Sequence, residues 1–321
     1  MKVIGPIQLK SPRKLYLPLV SVYIPTHNRA HLIERAVISV INQSYPNIEI
    51  IIVDDGSTDK TPKVLNVLCN KYSNIKTLRH EKPKGACAAR NLAIDHATGI
   101  FVTGLDDDDE FLPHRVEDFV NNYNSKYSLL CSTIIVSDKT SEVRTIIEKR
   151  IIDWEDIKKK NFVGGHIFIE RQRLYKNMQY FERMPAWQDY DLSFRLIKKY
   201  GPAYKIDNHS YKVDLCGANN RITESSVAHQ GFLLFISRHA SDLSQTHINN
   251  QRANDFYNRR VDLSIFESIG YIKSVYSFKK MSLLYLMLKA PKVYRVLVVI
   301  ATRLSNLRFI FQNKNHHTVN K

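Results

Sequence analysis

Four consecutive aspartates, Asp106 to Asp109, are the residues of this chain that suggest a particular chemistry most directly. They follow the apolar residues 100–102, and they repel one another unless a positive charge joins them. Mg²⁺ and Mn²⁺ take oxygen ligands and commonly bind one or two carboxylates together with substrate phosphate oxygens. The run therefore indicates either a metal-assisted enzyme acting on a diphosphate or a solvated acidic loop, which charge runs usually are.

Two further polar clusters follow predicted strands. Thr26 to Asn28 come after the β-rich run Val20–Ile24, and Asp54 and Asp55 come at the end of the run that begins at Ile48. In parallel α/β sheets, ligands bind outside the carboxyl ends of the strands. One crevice can therefore collect all three clusters, which favours a functional acidic site over a solvated loop.

The elements that position these clusters alternate between strand and helix over residues 20–105. Apolar residues recur at helical spacing from Leu32 to Ile41, and further helices are predicted over residues 61–72 and 86–97. The alternation predicts an α/β fold, with a Rossmann-like, mostly parallel sheet and helices on both faces. Neither GxGxxG nor GxxxxGK[ST] is present, so a metal and side chains must meet phosphate charge.

The regular alternation fades after residue 123. Strands are predicted over residues 128–137 and 165–169, and a helix over residues 191–200. With 321 residues, the chain is long enough for one large domain or two modest ones.

Composition indicates the compartment and the kind of partner. The 47 Lys and Arg exceed the 31 Asp and Glu, giving a net charge of +16, which favours an anionic partner. No secretory signal is visible, and no apolar stretch reaches the ~18 residues that would span a bilayer. The cysteines have neither metal-site spacing nor pairing logic, which favours a reducing cytoplasm; they are Cys69, Cys87, Cys131 and Cys216.

From residue 20 to about residue 200, the sequence resembles the family 2 inverting glycosyltransferases, which have the nucleotide-sugar-binding GT-A fold. The resemblance depends on four motifs in a fixed order. They are SVYIPTHNR (residues 21–29), IVDDGSTD (52–59), AARN (88–91) and LDDDD (105–109).

The resemblance implies a role for each residue that matches a motif. Residues Asp106 to Asp108 match the family's DxD motif, which implies a Mn²⁺ or Mg²⁺ ion held by Asp106 and Asp108 and a ribose near Asp107. Asn28 is a candidate for the nucleotide side or a residue that ends the strand, and Arg90 is a candidate for a phosphate contact or a salt bridge to the acidic loop. The remaining implied nucleotide-binding residues are Pro25 and Thr26 beside the base and Asp55 on the uracil ring.

The segment WQDYD, residues 187–191, matches the part of the family that supplies a general base. The implied base is Asp189, and Asp191 is the alternative, because Gln188 stands where the family usually has Glu. Without the resemblance, the favoured interpretation of both carboxylates is that they complement the dipole at a helix N-terminus. Three later histidines lack metal-ligand spacing and are predicted to be surface or core residues: His166, His229 and His239.

The C-terminal region is basic and interrupted by apolar clusters. From residue 270 to residue 321 there are ten Lys or Arg and no Asp or Glu, as expected of amphipathic helices on an anionic membrane, although a helical pair packed on the domain is the alternative. Residues Arg221 to Thr223 are candidates for an acceptor diphosphate. The predicted division is an N-terminal extension (1–18), a GT-A catalytic domain (19–205), an acceptor-side segment (206–265) and a basic helical tail (266–321).

These features together predict an enzyme at the cytoplasmic face of the membrane. It would move one hexose, glucose or galactose, from a UDP-sugar to a polyprenyl-diphosphate-linked sugar in O-antigen or capsule synthesis, with a β-linkage. The QxxRW motif and membrane spans of processive synthases are absent. A nucleotidyltransferase and a basic nucleic-acid-binding protein are the alternatives, and no nucleic acid is expected because the charge lies on an apolar tail.

Overall fold

The computed structural model describes residues 17–137, 142–145, 149–174, 184–215, 226–297 and 300. Its first half confirms the predicted alternation of strands and helices. Strands β2, β1 and β4 pair in parallel, and β3 extends the parallel sheet beyond β2. The elements are β1 (Val20–Thr26), α1 (Ile33–Ile41), β2 (Ile48–Asp54), α2 (Thr61–Lys71), β3 (Ile75–Arg79), α3 (Ala86–His96) and β4 (Phe101–Gly104).

The second half adds shorter strands to the same sheet. The order across the sheet is β3-β2-β1-β4-β9-β6-β10-β5, with β7 on β6 and β8 on β10, and β9 runs antiparallel to both β4 and β6. The added elements are β5 (Glu110–Phe111), α4 (Arg115–Asn121), β6 (Leu130–Ser137), β7 (Glu142–Arg144), β8 (Ile151–Ile152), α5 (Trp154–Lys159), β9 (Phe168–Glu170), a 3₁₀ helix (Arg171–Leu174), α6 (Gln188–Tyr200) and β10 (Ala203–Asp214).

Strand β2 shows why the sheet is covered on both faces. Its side chains alternate between two cores: Ile50 and Ile52 pack on the face covered by α1 and α2, whereas Ile51 packs on the face covered by α3 and α6. All three are fully buried, so the run reads as continuously apolar rather than alternating. The predicted fold class, a mostly parallel α/β sheet of GT-A type followed by helices, is therefore confirmed.

Within the described part of the chain, the sheet is followed by helices. Ser244, Ser264 and Ser274 begin three of them with capping boxes, and α8 packs on α10 through Ala253 and Met281. Within the described residues, no helix is both long enough and apolar enough to cross a bilayer. The helices are α7 (Ser226–Arg238), α8 (Gln245–Arg259), α9 (Ile265–Gly270) and α10 (Val275–Lys289).

The predicted division of the chain can be placed on these elements. The boundary between residues 205 and 206 falls inside β10, which pairs with β6 over residues 204–206 and again over residues 211–214, so the sheet continues to Asp214. The predicted tail begins one residue after the start of α9. Residues 1–16 of the predicted extension and most of the tail after residue 297 lie outside the described residues, and the division itself stays a prediction.

Candidate active site

The carboxyl ends of β1, β2 and β4 meet, as the sequence indicates. Thr26, at the end of β1, donates a 2.6 Å hydrogen bond from its hydroxyl to Asp107 in the loop after β4. The backbone N–H of Asp55, after β2, donates to the carbonyl of Thr26 at 2.8 Å. Three segments that are distant in sequence are thereby held at one edge of the sheet.

Asp55 is buried and fixed from three directions. The backbone N–H groups of Lys84 and Gly85 donate to its carboxylate at 2.9 and 2.7 Å, and His80 Nδ1 lies 2.7 Å from the same group. Burial alone would raise the pKa of Asp55, but the hydrogen bonds from Lys84, His80 and Gly85 outweigh it and lower that pKa. The carboxylate is therefore held ionised in one orientation at the end of β2.

Asn28 joins the loop after β1 to the loop after β2. Its backbone is left-handed, with a φ of 54°, and its side-chain oxygen accepts from the backbone N–H groups of Thr58 and Asp59 at 2.8 and 3.3 Å. Asn tolerates this conformation better than most residues. The contacts correspond to the turn-forming role that was the alternative to nucleotide contact. Pro25 lies half-buried in β1 opposite Val53.

Two arginine side chains and Thr26 hold the acidic run in place. Arg90, on α3, is buried and forms a 2.9 Å ion pair with Asp106, which is the bracing role predicted as one alternative. Burial would raise the pKa of Asp106, but the charge of Arg90 lowers it. Arg35, on α1, donates to the backbone carbonyl of Asp108 at 2.5 Å. The half-buried side chain of Asp108 stays a predicted metal ligand.

Two of the carboxyls in the run have strongly raised pKa values. Burial, with repulsion from Asp108 and Asp106, raises the pKa of Asp107 to about 7 despite the Thr26 hydrogen bond. Burial and the charges of Asp106 and Asp108 raise the pKa of Asp109 to about 8. A bound divalent cation would offset both burial and repulsion, so this environment fits a cation.

Asp109 and His166 also belong to the site, although Asp109 was given no separate role from the sequence and His166 was predicted to be a surface or core residue. Asp109 is 5% exposed and accepts from the Tyr211 hydroxyl at 2.9 Å and from the backbone of Asp214 at 3.0 Å. The ring of His166 stacks on that of Tyr211 with centroids 3.7 Å apart, and its Nε2 lies 4.0 Å from the Asp109 carboxylate. Burial lowers the pKa of His166 to about 4, so its ring is neutral and able to bind a metal.

Asp106, Asp109 and His166 together could hold a metal ion. One ligand atom from each lies within 4.8 Å of the other two. Two carboxylates fit Mn²⁺ or Mg²⁺, and the imidazole favours Mn²⁺, because Mg²⁺ prefers oxygen ligands. The predicted ligand set shares only Asp106 with this group.

The loop before β9 links this group to the predicted base. Its residue Gly165 lies so close to Asp189 that a Cβ built on it would be 3.4 Å from the carboxylate oxygen, and the next residue is His166. Asp189 lies half-buried in the first turn of α6. Trp187, directly before α6, has a left-handed backbone with a φ of 65°, and strain of this kind is often found at functional sites. The predicted base and the acidic run are thus neighbours.

Asp191, the alternative base, is enclosed. Its side chain is 1% exposed, and its two oxygens lie 2.8 Å from Arg195, 3.1 Å from Arg238 and 2.9 Å from His239. Burial would raise the pKa of Asp191, but the hydrogen bond from His239 and the charge and hydrogen bond of Arg195 lower it. A carboxylate enclosed in this way cannot meet an acceptor hydroxyl, so the geometry favours Asp189 as the base.

His229 and His239, the two other histidines considered in the sequence analysis, pair with carboxylates. His239 contacts Asp191, and His229 lies 2.9 Å from Asp255, so neither takes part in the group around Asp109. This agrees with their prediction as structural residues. The candidate acceptor contact at Arg221 to Thr223 lies outside the described residues.

Comparison with known proteins places this chain in a family. The model of glycosyl transferase family 2 matches residues 21–200. Over 232 residues, the chain is 32% identical to WcaA of Escherichia coli K12, named as a colanic acid biosynthesis glycosyl transferase, covering 69% of this chain and 81% of that protein. Over 172 residues it is 31% identical to the Campylobacter jejuni GalNAc(5)-diNAcBac-PP-undecaprenol beta-1,3-glucosyltransferase, covering 52% of this chain and 56% of the relative.

A solved structure shows the same fold at lower identity. Residues 1–349 of Staphylococcus aureus TarS, in complex with UDP-GlcNAc, superimpose with a TM-score of 0.59 and 19% identity, covering 82% of this chain and 78% of TarS. The fold and the strand-end site define a nucleotide-sugar-dependent glycosyltransferase of GT-A type. The chain belongs to glycosyl transferase family 2. The predictions of family and of enzyme class are therefore confirmed.

Proposed function

We propose that this enzyme transfers one hexose, glucose or galactose, from a UDP-sugar to a sugar carried on a polyprenyl diphosphate, in the synthesis of a bacterial surface polysaccharide such as O-antigen. The observation that carries the proposal is the meeting of Thr26, Asp55 and the acidic run at one edge of the sheet, joined to Asp189 by the loop at Gly165. The names of the two relatives support the acceptor class and the pathway. The UDP-GlcNAc in TarS supports the donor class.

In this proposal each part of the site has one task. Pro25, Thr26 and Asp55 border the nucleobase, and Asp107 lies near the ribose. Asp106, with Asp108 or with Asp109 and His166, would hold Mn²⁺ or Mg²⁺. Arg90 and Arg35 hold the acidic loop in position. A bound cation stabilises the negative charge that grows on the departing diphosphate, without supplying a proton.

Asp189 is the proposed general base. As the acceptor hydroxyl oxygen attacks the anomeric carbon, its proton passes to the Asp189 carboxylate. The bond between that carbon and the β-phosphate oxygen breaks, and UDP leaves on the opposite side. Attack opposite the leaving group inverts the anomeric carbon, so an α-linked donor gives a β-linkage. Help from a general base is typically worth ~10²- to 10⁴-fold in rate.

The test is a screen of UDP-sugars for metal-dependent UDP release, with and without polyprenyl-diphosphate-linked N-acetylhexosamines. Release should require Mn²⁺ or Mg²⁺ and should stop in excess EDTA. The Asp108→Ala variant measures whether the motif residue contributes to the ion. Full activity in EDTA would contradict the metal-dependent mechanism. Pyrophosphate release from a nucleoside triphosphate would favour a nucleotidyltransferase instead.

We also propose that α9 and α10 face an anionic membrane at its cytoplasmic side. Large apolar side chains project there, with Phe266 88%, Val275 86% and Phe278 57% exposed. Val275 and Phe278 stand in the region that carries ten basic and no acidic residues after residue 270, and Phe266 precedes that region, beside Glu267. Each basic residue near an anionic surface contributes ~1 kcal/mol to binding, and apolar side chains add insertion into the interface.

Co-sedimentation with liposomes of phosphatidylglycerol and phosphatidylethanolamine tests this surface. Phe266→Ser and Val275→Ser together should weaken binding, and raised salt should weaken it further. Val67→Ser is the matched control, because Val67 is 64% exposed on α2, away from the basic region. Equal binding by the double variant and the wild type would remove the membrane from the proposal without affecting the chemistry at Asp189.

A further inference from the structure

A cavity of about 280 Å³ opens beside the proposed base. It is lined by the start of α6, with Trp187 and Asp189, and by Asn161, Gly164 and Gly165 of the loop before β9. Helix α8 forms another wall, with Asn254 and Asn258. A group bound in this cavity would therefore lie directly against the Asp189 carboxylate.

The chemistry of the lining indicates what kind of group fits. The lining residues include four with side-chain amides, the aromatic residues Trp187 and Tyr190 and two aspartates, and none of the described lining residues is Lys, Arg or His. Asp255, which also lines it, is already paired with Arg259 at 2.7 Å. A diphosphate would meet no cation among these residues, whereas sugar hydroxyls can both donate to and accept from amides. The lining thus favours a neutral sugar ring over a phosphate.

The wall formed by α8 is held in place by the rest of the fold. Gln251, one turn before Asp255, donates to the backbone carbonyl of Lys158 at 3.0 Å and also bonds the hydroxyl of Tyr190 on α6. The hydroxyl of Tyr276, on α10, donates to the side-chain oxygen of Asn254 at 3.3 Å. A rigid wall suits selection among sugars, because discrimination depends on hydrogen bonds at fixed positions.

We infer that this cavity binds the acceptor sugar, and that Asn254 and Asn258 select among acceptors by bonding its hydroxyl or N-acetyl groups. The inference rests on the proposed function. It adds a site on α8, which lies after residue 200, where the match to the family ends. Different members of the family can therefore share the donor site and the base while α8 recognises different acceptors.

The probes are methyl glycosides of glucose, galactose, N-acetylglucosamine and N-acetylgalactosamine. Saturation-transfer NMR, in the presence of UDP and Mn²⁺, detects weak binding of such sugars to the full chain. At least one glycoside should bind to the wild type. Asn258→Ala and Asn254→Ala should each weaken it about 3- to 10-fold, the effect of losing one hydrogen bond. Binding of UDP, measured on the same samples, should not change.

Asn66→Ala is the matched control, because Asn66 is an exposed asparagine on α2 that does not line the cavity. Asn258 is itself exposed on a helix, so replacing it with Ala should not disturb folding. If UDP binds but no glycoside does, or if both cavity variants bind the glycoside as the wild type does, the acceptor assignment is wrong while the donor site stands. If UDP does not bind to the wild type, the proposed function fails as well.

Discussion

Replacing Asp with Asn should have different effects at Asp189 and Asp191, the two carboxylates near the start of α6. At Asp189 it should lower the transfer rate, and at Asp191 it should lower the stability of the fold. Asp189→Asn keeps the shape of the side chain but cannot take the acceptor proton, so transfer should fall by at least ~10²-fold. Asp189 is half-buried at a helix N-terminus, where a carboxylate is worth ~0.3–1 kcal/mol, so the variant should fold nearly as stably as the wild type. Its binding of UDP should be unchanged.

Asp191→Asn should instead destabilise the fold. The substitution removes a buried charge that faces Arg195, Arg238 and His239, and leaving a buried partner uncompensated costs ~3–5 kcal/mol. Arg238 is 26% exposed and can recover some hydration, so we expect the lower end, about 3 kcal/mol. At ~2 °C per kcal/mol for a chain of this size, the melting temperature should fall by ~6 °C.

Thermal melts and urea titrations measure the stability of each variant, and UDP release with a lipid-linked acceptor measures transfer. The assignment of the base is refuted if Asp191→Asn has the melting temperature of the wild type but no transfer activity, while Asp189→Asn keeps its transfer activity. Loss of stability in both variants would show that Asp189 also supports the fold. Its transfer rate would then be measured well below the melting temperature.

The contribution of Asp191 to stability should decrease in acid. The folded pKa of Asp191 lies below its ordinary value of 3.8, so its contribution to stability is complete above that pH and is lost as the pH falls through the folded pKa. The difference in unfolding free energy between the wild type and Asp191→Asn should therefore be constant from pH 7 to pH 5. It should shrink below about pH 4. Urea titrations at pH 7, 5, 4 and 3 measure it.

Two further predictions concern the metal and the approach of α7. Asp109→Asn and His166→Ala should each weaken Mn²⁺ binding in the presence of UDP by at least ~10-fold, measured by electron paramagnetic resonance, whereas His114→Ala, at a 71% exposed side chain, should not. Unchanged affinity in both site variants would leave Asp106 and Asp108 as the ligands. Gly231→Ala should lower the free energy of unfolding by ~1–3 kcal/mol, because its Cβ would lie 2.6 Å from the Ala186 carbonyl oxygen. Gly270→Ala, which has open space around it, should leave the stability unchanged when both variants are measured by thermal melts.

The first half of the fold could be predicted because its signals are local. Each strand and helix up to β4 is a short apolar run with its own periodicity, and the carboxyl ends of parallel strands must lie at one edge of the sheet. These two facts are enough to predict that Thr26, Asp55 and Asp107 lie together. The pairing of Arg90 with Asp106 was one of two alternatives, and only the position of α3 beside the acidic loop distinguishes them.

The rest of the site depends on contacts between distant residues. His166 reaches Asp109 because β9 runs antiparallel beside β4 and because Tyr211, on β10, provides a ring for it to stack on. Nothing near His166 in sequence has metal-ligand spacing, although the preceding pair Gly164-Gly165 is a signal for a close approach. Strand β10 was not predicted, because its polar residues interrupt the alternation of apolar and polar side chains that is typical of a strand. Its partner, β6, lies some 70 residues earlier in the chain.

The close approach of Gly231 to Ala186 has a consequence for how this enzyme can be recombined with its relatives. Helix α7 contacts the backbone of Ala186, directly before Trp187, and α8 forms part of the wall of the cavity beside Asp189. The two helices therefore form a natural cassette for building chimaeras in which acceptor preference is exchanged and the nucleotide half is kept. Such a chimaera can fold only where the α7 taken from the relative has glycine at the position of Gly231. Glycine at that position is therefore the first criterion for choosing the relative.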